Sequence, residues 1–204
     1  MRKSFSIVAL LLMGLLGAQS AKADQCNGVV VNLIQNCAFG TGDFTDWSGT
    51  ATADAINFVD QGDPLAIGPT PYDSLANEAA LGSSSDEVLS QTFATTIGQQ
   101  YTVQFALLND TTPDQGYIND FTATFGGTTL FTESNTAADG YTLYSYNIAG
   151  ASTSTTLDFT SENLEGYYEL DSVSVEATPE PSSLLLFGTG LLALAGGVRR
   201  RLRR

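Results

Sequence analysis

The 204-residue chain contains no histidine, and none of its 8 lysines and arginines lies between Asp24 and Thr178. Those residues are Arg2, Lys3 and Lys22 at one end and Arg199, Arg200, Arg201, Arg203 and Arg204 at the other. These absences remove whole classes of function. Ser-His-Asp and Cys-His catalysis require an imidazole, and the common zinc sites use one as ligand. No Gly-rich loop is followed by a phosphate-binding lysine. Nucleic-acid binding depends on cationic side chains that displace counterions from phosphates, so it is excluded, as is adhesion to anionic lipid through basic charge. Cysteine is scarce as well, with Cys26 and Cys37 only, and Trp47 is the single tryptophan. No amphipathic helix of useful length and no internal repeat is present.

Acid fills the place of the missing base. The chain has 22 Asp and Glu and a net charge of −14, and of these acids only Glu180 lies outside the span Asp24–Thr178. What survives is carboxylate chemistry, binding of hard cations such as Ca2+, and recognition through aromatic and amide groups. Repulsion opposes self-association, unless divalent cations bridge acidic surfaces.

The two ends read as sorting signals. Arg2 and Lys3, the apolar run Ile7–Gly17, and the small residues of Ala21-Lys22-Ala23 follow the secretory pattern, so residues 1–23 are expected to be a signal peptide cut between Ala23 and Asp24. The run is shorter than the ~20 residues of a membrane span. No lipobox-like residues precede Cys26. At the other end stand Pro179-Glu180-Pro181, the apolar stretch Ser182–Val198, and the arginine cluster. At ~1.5 Å per residue the stretch reaches about 25 Å, slightly short of a ~30 Å hydrocarbon core, a gap that snorkelling arginines and local thinning cover. Clustered arginine holds its end in the cytoplasm, which places the body outside.

This tail resembles the PEP-CTERM sorting signal of exopolysaccharide-producing Gram-negative bacteria. The resemblance implies an exosortase as partner, besides signal peptidase, with processing at or near Pro181. An uncut C-terminal anchor is the alternative. The expected organisation is therefore a signal peptide (1–23), a body (24–177) and a sorting tail (178–204).

Short alternating runs recur along the body, as in an all-β sandwich. Strands are expected over Val29–Ile34, Glu87–Thr95, Gln100–Leu108, Asp120–Phe125, Thr128–Thr132, Tyr141–Ile148, Thr155–Thr160 and Tyr167–Val175. In the third of these, Tyr101, Val103, Phe105 and Leu107 share one face. Gly126-Gly127 marks a hairpin. Asp60–Ala76, rich in Gly and Pro, reads as a long loop. The segments Asn32-Leu33-Ile34-Gln35-Asn36, Phe39, Gly42-Asp43-Phe44-Thr45-Asp46-Trp47 and Leu170-Asp171-Ser172-Val173-Ser174-Val175 resemble the opening and close of extracellular jelly-roll domains related to carbohydrate-binding modules. The resemblance implies a single jelly-roll β-sandwich of roughly eight to ten strands. It further implies Asp43 and Asp171 as ligands of a structural Ca2+. Cys37 stands where the opening usually has Gly, and Gly40 where an acid usually follows the Phe.

The candidate residues divide by setting. Trp47 reads as a core anchor of the opening motif, and Tyr101, Tyr141 and Tyr168 as core. Tyr72 and Tyr117 lie in Pro/Asp/Gly-rich loops, where an aromatic suits a ligand edge; the alternative is a loop-covering tyrosine with a local hydrogen bond. Asp110, Asp114 and Asp120, with Asn109 and Asn119, make an oxygen-rich region that suits a ligand or cation, or else a solvated acidic loop. Paired carboxylates are the machinery of glycosidases, but nothing in the sequence marks any pair as coupled. Cys26 and Cys37 are the one disulfide pairing available to an exported chain. Were Val29–Ile34 one straight strand, its ends would lie ~20 Å apart, against about 5.5 Å between bridged Cα atoms, so a bridge requires the chain to fold back.

Taken together, the sequence points to a non-catalytic exported protein that associates with extracellular polysaccharide. It would pass through an inner-membrane intermediate to the cell surface or matrix. The alternatives are a structural biofilm protein cross-linked by divalent cations and a carboxylate-based glycosidase. Trypsin is expected to release no fragment ending between Asp24 and Thr178, even from denatured protein. A tryptic peptide terminating inside that span, seen by mass spectrometry, would contradict this.

Overall fold

The computed structural model describes residues 31–61, 77–111 and 119–178. The alternating runs form strands, nine of them among the described residues: β1 (Phe58–Gln61), β2 (Asn77–Leu81), β3 (Glu87–Ala94), β4 (Gln100–Asn109), β5 (Asn119–Phe125), β6 (Thr128–Ser134), β7 (Asp139–Ala149), β8 (Ser154–Asn163) and β9 (Tyr168–Ala177). They make two antiparallel sheets, of five strands in the order β1-β2-β9-β4-β7 and four in the order β3-β8-β5-β6. Packed face to face, these are a jelly-roll β-sandwich.

Period-two alternation places the core. On β4, Tyr101, Val103, Phe105 and Leu107 point to the other sheet, and all are buried. They meet Leu157 and Phe159 of β8, and Phe121, Ala123 and Phe125 of β5. Phe105 sits at the centre, edge-on to Phe159 at 5.2 Å and stacked on Tyr144 at 5.4 Å. Trp47 is buried, stacks on Phe39 at 5.5 Å and donates its Nε1–H to the Asn36 carbonyl at 3.1 Å, so it anchors the opening motif. The β5–β6 hairpin turns through Gly126 (φ 56°) and Gly127 (φ 78°). Two successive positive φ values are what a type I′ turn requires, and glycine adopts them without a Cβ clash.

The N-terminal stretch departs from expectation. Residues 31–34, the described part of the expected strand Val29–Ile34, form no regular strand. The chain turns instead at Asn36 (φ 47°) and Phe39 (φ 49°). Side-chain amides take over the work of a strand ladder. Asn32 Nδ2 donates to the Val173 carbonyl at 3.0 Å, and its Oδ1 accepts from the Val175 N–H at 2.9 Å. On the other sheet, Gln91 of β3 accepts from the Gln35 N–H at 2.7 Å and donates to the Gln35 carbonyl at 3.0 Å. A carboxamide carries the same donor and acceptor as a peptide group, so the opening stretch is clasped to both sheets. Cys37, within it, is buried and disulfide-bonded. Cys26, the other cysteine of the chain, lies outside the described residues.

The expected loop Asp60–Ala76 also needs correction at its start, because Asp60 and Gln61 belong to β1; residues 62–76 lie outside the described residues. Strand β2 was not expected at all. Its sequence Asn-Glu-Ala-Ala-Leu has little intrinsic β preference, but it pairs with β1 and with β9 and buries Ala79 and Leu81 in the core.

Replacing Gln91, which is buried, by alanine leaves both groups of Gln35 unpaired. Gln91→Ala is expected to lower unfolding free energy by about 1–3 kcal/mol, read from urea denaturation. An unchanged midpoint would show that the clasp contributes nothing.

Candidate functional site

A register defect in β9 builds the most chemically loaded surface of the protein. Tyr168 and Leu170 face the core, as do Val173 and Val175. Strict alternation cannot give that pattern, because the inward residues change from even to odd numbers. The strand solves this with a bulge: Ser172 has φ 54°, and the register against β4 shifts between Gln104 and Ala106. Glu169 and Asp171 are thereby turned to the outer face of the five-stranded sheet. There they stand opposite Leu108 and Ala106 of β4, with Glu169 opposite Ala80 of β2 on its other side. Glu78 of β2 belongs to the same face. Tyr141 of β7 packs there with Ala106 and Leu108 in a small second apolar cluster.

Glu78, Glu169, Asp171 and Tyr141 are 4 %, 6 %, 2 % and 7 % exposed. Among the described residues the groups that can neutralise them are protons and hydrogen-bond donors, since none of those residues is basic. The Tyr141 hydroxyl makes a short hydrogen bond to Glu78 Oε2 and lies 3.5 Å from Glu169 Oε2. Burial, then the negative charges of Glu78, Glu169 and Asp171, push the Tyr141 phenol far above its ordinary range, so it remains a donor at every accessible pH. Burial pushes the Asp171 carboxyl up to about 6; hydrogen bonds from the Ser172 backbone and side chain oppose the rise, and the Glu78 charge adds to it. Ser172 Oγ donates to Asp171 Oδ2 at 3.1 Å, while Oδ1 has no hydrogen-bond partner. The patch therefore combines an acid that titrates near neutrality with a phenol locked as donor.

The other expected site residues lie elsewhere. Asp43 is exposed and closes its own turn, accepting from Thr41 Oγ1 at 2.8 Å and the Thr45 N–H at 2.9 Å. Hydrogen bonds from Thr45 and then Thr41 hold its carboxyl below the usual range. Asp43 and Asp171 thus have separate partners. Among the described residues no group of three or more His, Cys, Asp or Glu is arranged to hold a metal ion, so calcium at Asp43 and Asp171 gains no support from this geometry. Asp120 is half-buried on β5, between Ser134 and Glu162 on the flanking strands, with an unpartnered Oδ1. Asn109 and Asn119 converge on Thr136, to which both donate through Nδ2. Tyr72, Asp114 and Tyr117 lie outside the described residues, as do Ala23, Asp24, Pro179, Glu180 and Pro181. Tyr101 and Tyr168 are core residues. Tyr141 is buried too, but on the outer face rather than between the sheets.

Residues 177–201 match the PEP-CTERM protein-sorting motif. The chain carries a PEP-CTERM sorting tail. That motif marks an exported protein. Its first residue, Ala177, is the last residue of β9, so the sorting signal begins within the sheet. Among the described residues no helix is long and apolar enough to cross a membrane; the apolar stretch 182–198 lies outside them. Comparison with curated proteins finds no match.

Solved structures share the sandwich. The enzymatically active domain of bacteriophage CBA120 tailspike protein 4 is similar with a TM-score of 0.52 and 12 % identity, over 72 % of this chain and 22 % of the tailspike chain. The K1 cleaved adhesin domain of Lys-gingipain from Porphyromonas gingivalis W83 gives 0.51 and 14 %, over 70 % and 96 %. The carbohydrate-binding module TmCBM61, solved with β-1,4-galactotriose, gives 0.46 and 12 %, over 72 % and 99 %. At such identities the likeness is one of fold.

Glu78 and Glu169 were missed in the sequence. Glu169 and Asp171 are two apart on a strand and so share a face, which was a usable signal. Glu78 sits on the strand that propensity hides.

The raised carboxyl of Asp171 sets a pH dependence. The folded protein holds a proton that the unfolded chain releases, so this contribution is complete below the ordinary value of 3.8 and is lost as pH rises through about 6. Asp171→Asn is expected to leave stability at pH 4 nearly unchanged and to raise it at pH 7 by about 2–3 kcal/mol. Urea titrations giving the same difference at both pH values would refute this.

Proposed function

We propose that this protein is an exported, non-catalytic surface protein that associates with extracellular polysaccharide. One observation carries the reading: apart from tyrosines and the two cysteines, every ionisable side chain between Asp24 and Thr178 is a carboxylate. A partner must bring hydrogen-bond donors and no negative charge. The hydroxyls of a neutral glycan meet that requirement, and carboxylates are strong acceptors for them. The sorting motif supports the reading because it marks an exported protein, and extracellular polysaccharide lies outside the cell.

In this scheme signal peptidase cuts between Ala23 and Asp24. Residues 182–198 then hold an inner-membrane intermediate with its arginine cluster in the cytoplasm. An exosortase acts at Pro179-Glu180-Pro181 and leaves the body at the surface or in the matrix. Tyr72 and Tyr117 supply stacking faces for sugar rings, and Asp120 supplies an acceptor.

The test is binding of the exported protein to a glycan array and to the producer's own exopolysaccharide, with calcium and with chelator. Binding weakened by Tyr72→Ala or Tyr117→Ala is the expected result. Indifference to every glycan in both conditions would sink the proposal, and release of reducing sugar would replace it with a glycosidase.

A second reading has its own observation. Asp86, Asp110, Asp139 and Glu165 lie in or beside the turns at one end of the sandwich. Divalent cations that bridge such ends would cross-link copies into a biofilm scaffold. Light scattering that rises with calcium and falls with chelator would favour it.

A further inference from the structure

The carboxylates are confined to part of the sandwich. No Asp, Glu, Lys, Arg or His occurs in residues 88–109, 121–132 or 140–157. The turns within these stretches meet at a single end. The Gly98 N–H donates to the Gly150 carbonyl at 2.8 Å, the Gly150 N–H to Gln99 at 2.8 Å, the Thr95 N–H to Thr153 at 3.1 Å, and the Gly126 N–H to Thr156 at 2.8 Å. Turns 95–99, 126–127 and 150–153 thus form one surface of hydroxyls, amides and backbone. A cleft of about 320 Å³ opens in it, with Phe125, Ile148, Ser152 and Thr156 among its walls. Ile97 projects from it, 66 % exposed.

The tail leaves from this same end. The Thr178 N–H donates to the Gln100 carbonyl at 2.8 Å, and the Thr178 carbonyl accepts from Gln99 Nε2 at 2.7 Å. Only Pro179-Glu180-Pro181 separates it from the apolar stretch that starts at Ser182. Three residues at ~3.1 Å each span about 10 Å. Any membrane that holds residues 182–198 therefore lies against this end.

We propose that this end, whose turns carry no charge, is the surface on which the tethered domain rests against the phospholipid bilayer, with Ile97 at headgroup level. This rests on the membrane-spanning reading of the tail given above. The reason is electrostatic. An anionic leaflet repels carboxylates within a Debye length, ~8–10 Å. The length of β4, 10 residues, sets the acidic turns at the far end about 30 Å away. Among the described residues, Asp158 lines the cleft and Glu176 lies one residue before the end of β9. Hydroxyl and amide groups instead offer headgroup phosphates hydrogen bonds at no Coulombic cost.

The test uses the chain from Asp24 to Arg204 in vesicles of phosphatidylethanolamine and phosphatidylglycerol. A fluorophore is placed through Ile97→Cys or, at the far end, Glu165→Cys, and quenched by headgroup spin-labelled lipid. Flotation of the vesicles reports tethering separately. Quenching at position 97 and none at 165 is expected. That quenching should be lost when Thr128→Asp and Thr153→Asp are added, with flotation unchanged. A chain that fails to float overturns the spanning tail and this inference with it. A chain that floats without quenching at 97 overturns the lipid contact alone and points to a protein partner at that end. Equal quenching at both positions, or quenching indifferent to the added aspartates, also overturns it.

Discussion

Among the described residues there is no lysine, arginine or histidine for a carboxylate to meet. That constraint shapes the rest of the structure. Elsewhere a buried acid is neutralised by arginine or lysine; here it must find an N–H, an O–H or a proton. Glu78 takes the Tyr141 hydroxyl, Asp171 the Ser172 hydroxyl, Asp43 the Thr45 N–H, and Asp139 the Asn109 N–H at 3.2 Å. Where donors run short, the acid keeps its proton to higher pH, as Asp171 does. Glu133 and Asp139 are raised as well, each chiefly by burial. A protein so built differs from one whose buried acids are paired, because the deprotonation of these acids costs stability.

Carboxamides do the joining that ion pairs would otherwise do. Asn32 and Gln91 clasp the opening stretch to both sheets. Asn36 organises the motif that follows: its Nδ2 donates to the carbonyls of Asp43 and Thr45, and its Oδ1 accepts from the Thr41 N–H. The resemblance of Asn36, Phe39, Asp43 and Trp47 to the opening of other jelly rolls thus has a physical basis. These residues hold one another in a folded loop packed on the core. A neutral amide serves here because it joins backbone segments without adding charge.

Most strands were legible: β3 to β9 all appear where the sequence predicts them. Two strands were not. β1 lies at the start of a Gly/Pro-rich stretch, and β2 is spelled with residues of low β preference, so only pairing with β9 makes it a strand. Of the acid patch, Asp171 was identified as a site residue, as a calcium ligand with Asp43; in the structure the two carboxylates have different hydrogen-bond partners. Glu169 lies two residues from Asp171 on the same strand, but Glu78 and Tyr141 come from β2 and β7, far apart in sequence, and no local pattern links them to it.

The sequence by itself determined the sandwich, the sorting tail, and the exclusion of imidazole chemistry. Each follows from residue type or from a periodicity of two, which local sterics and composition impose whatever the chain does later. Tertiary structure alone decided which acids share a face, because a one-residue bulge at Ser172 reverses the side to which β9 presents its residues. It alone decided that the uncharged turns gather where the tail departs. Strand order brings those turns together, and strand order depends on long-range pairing that no stretch of the chain encodes locally.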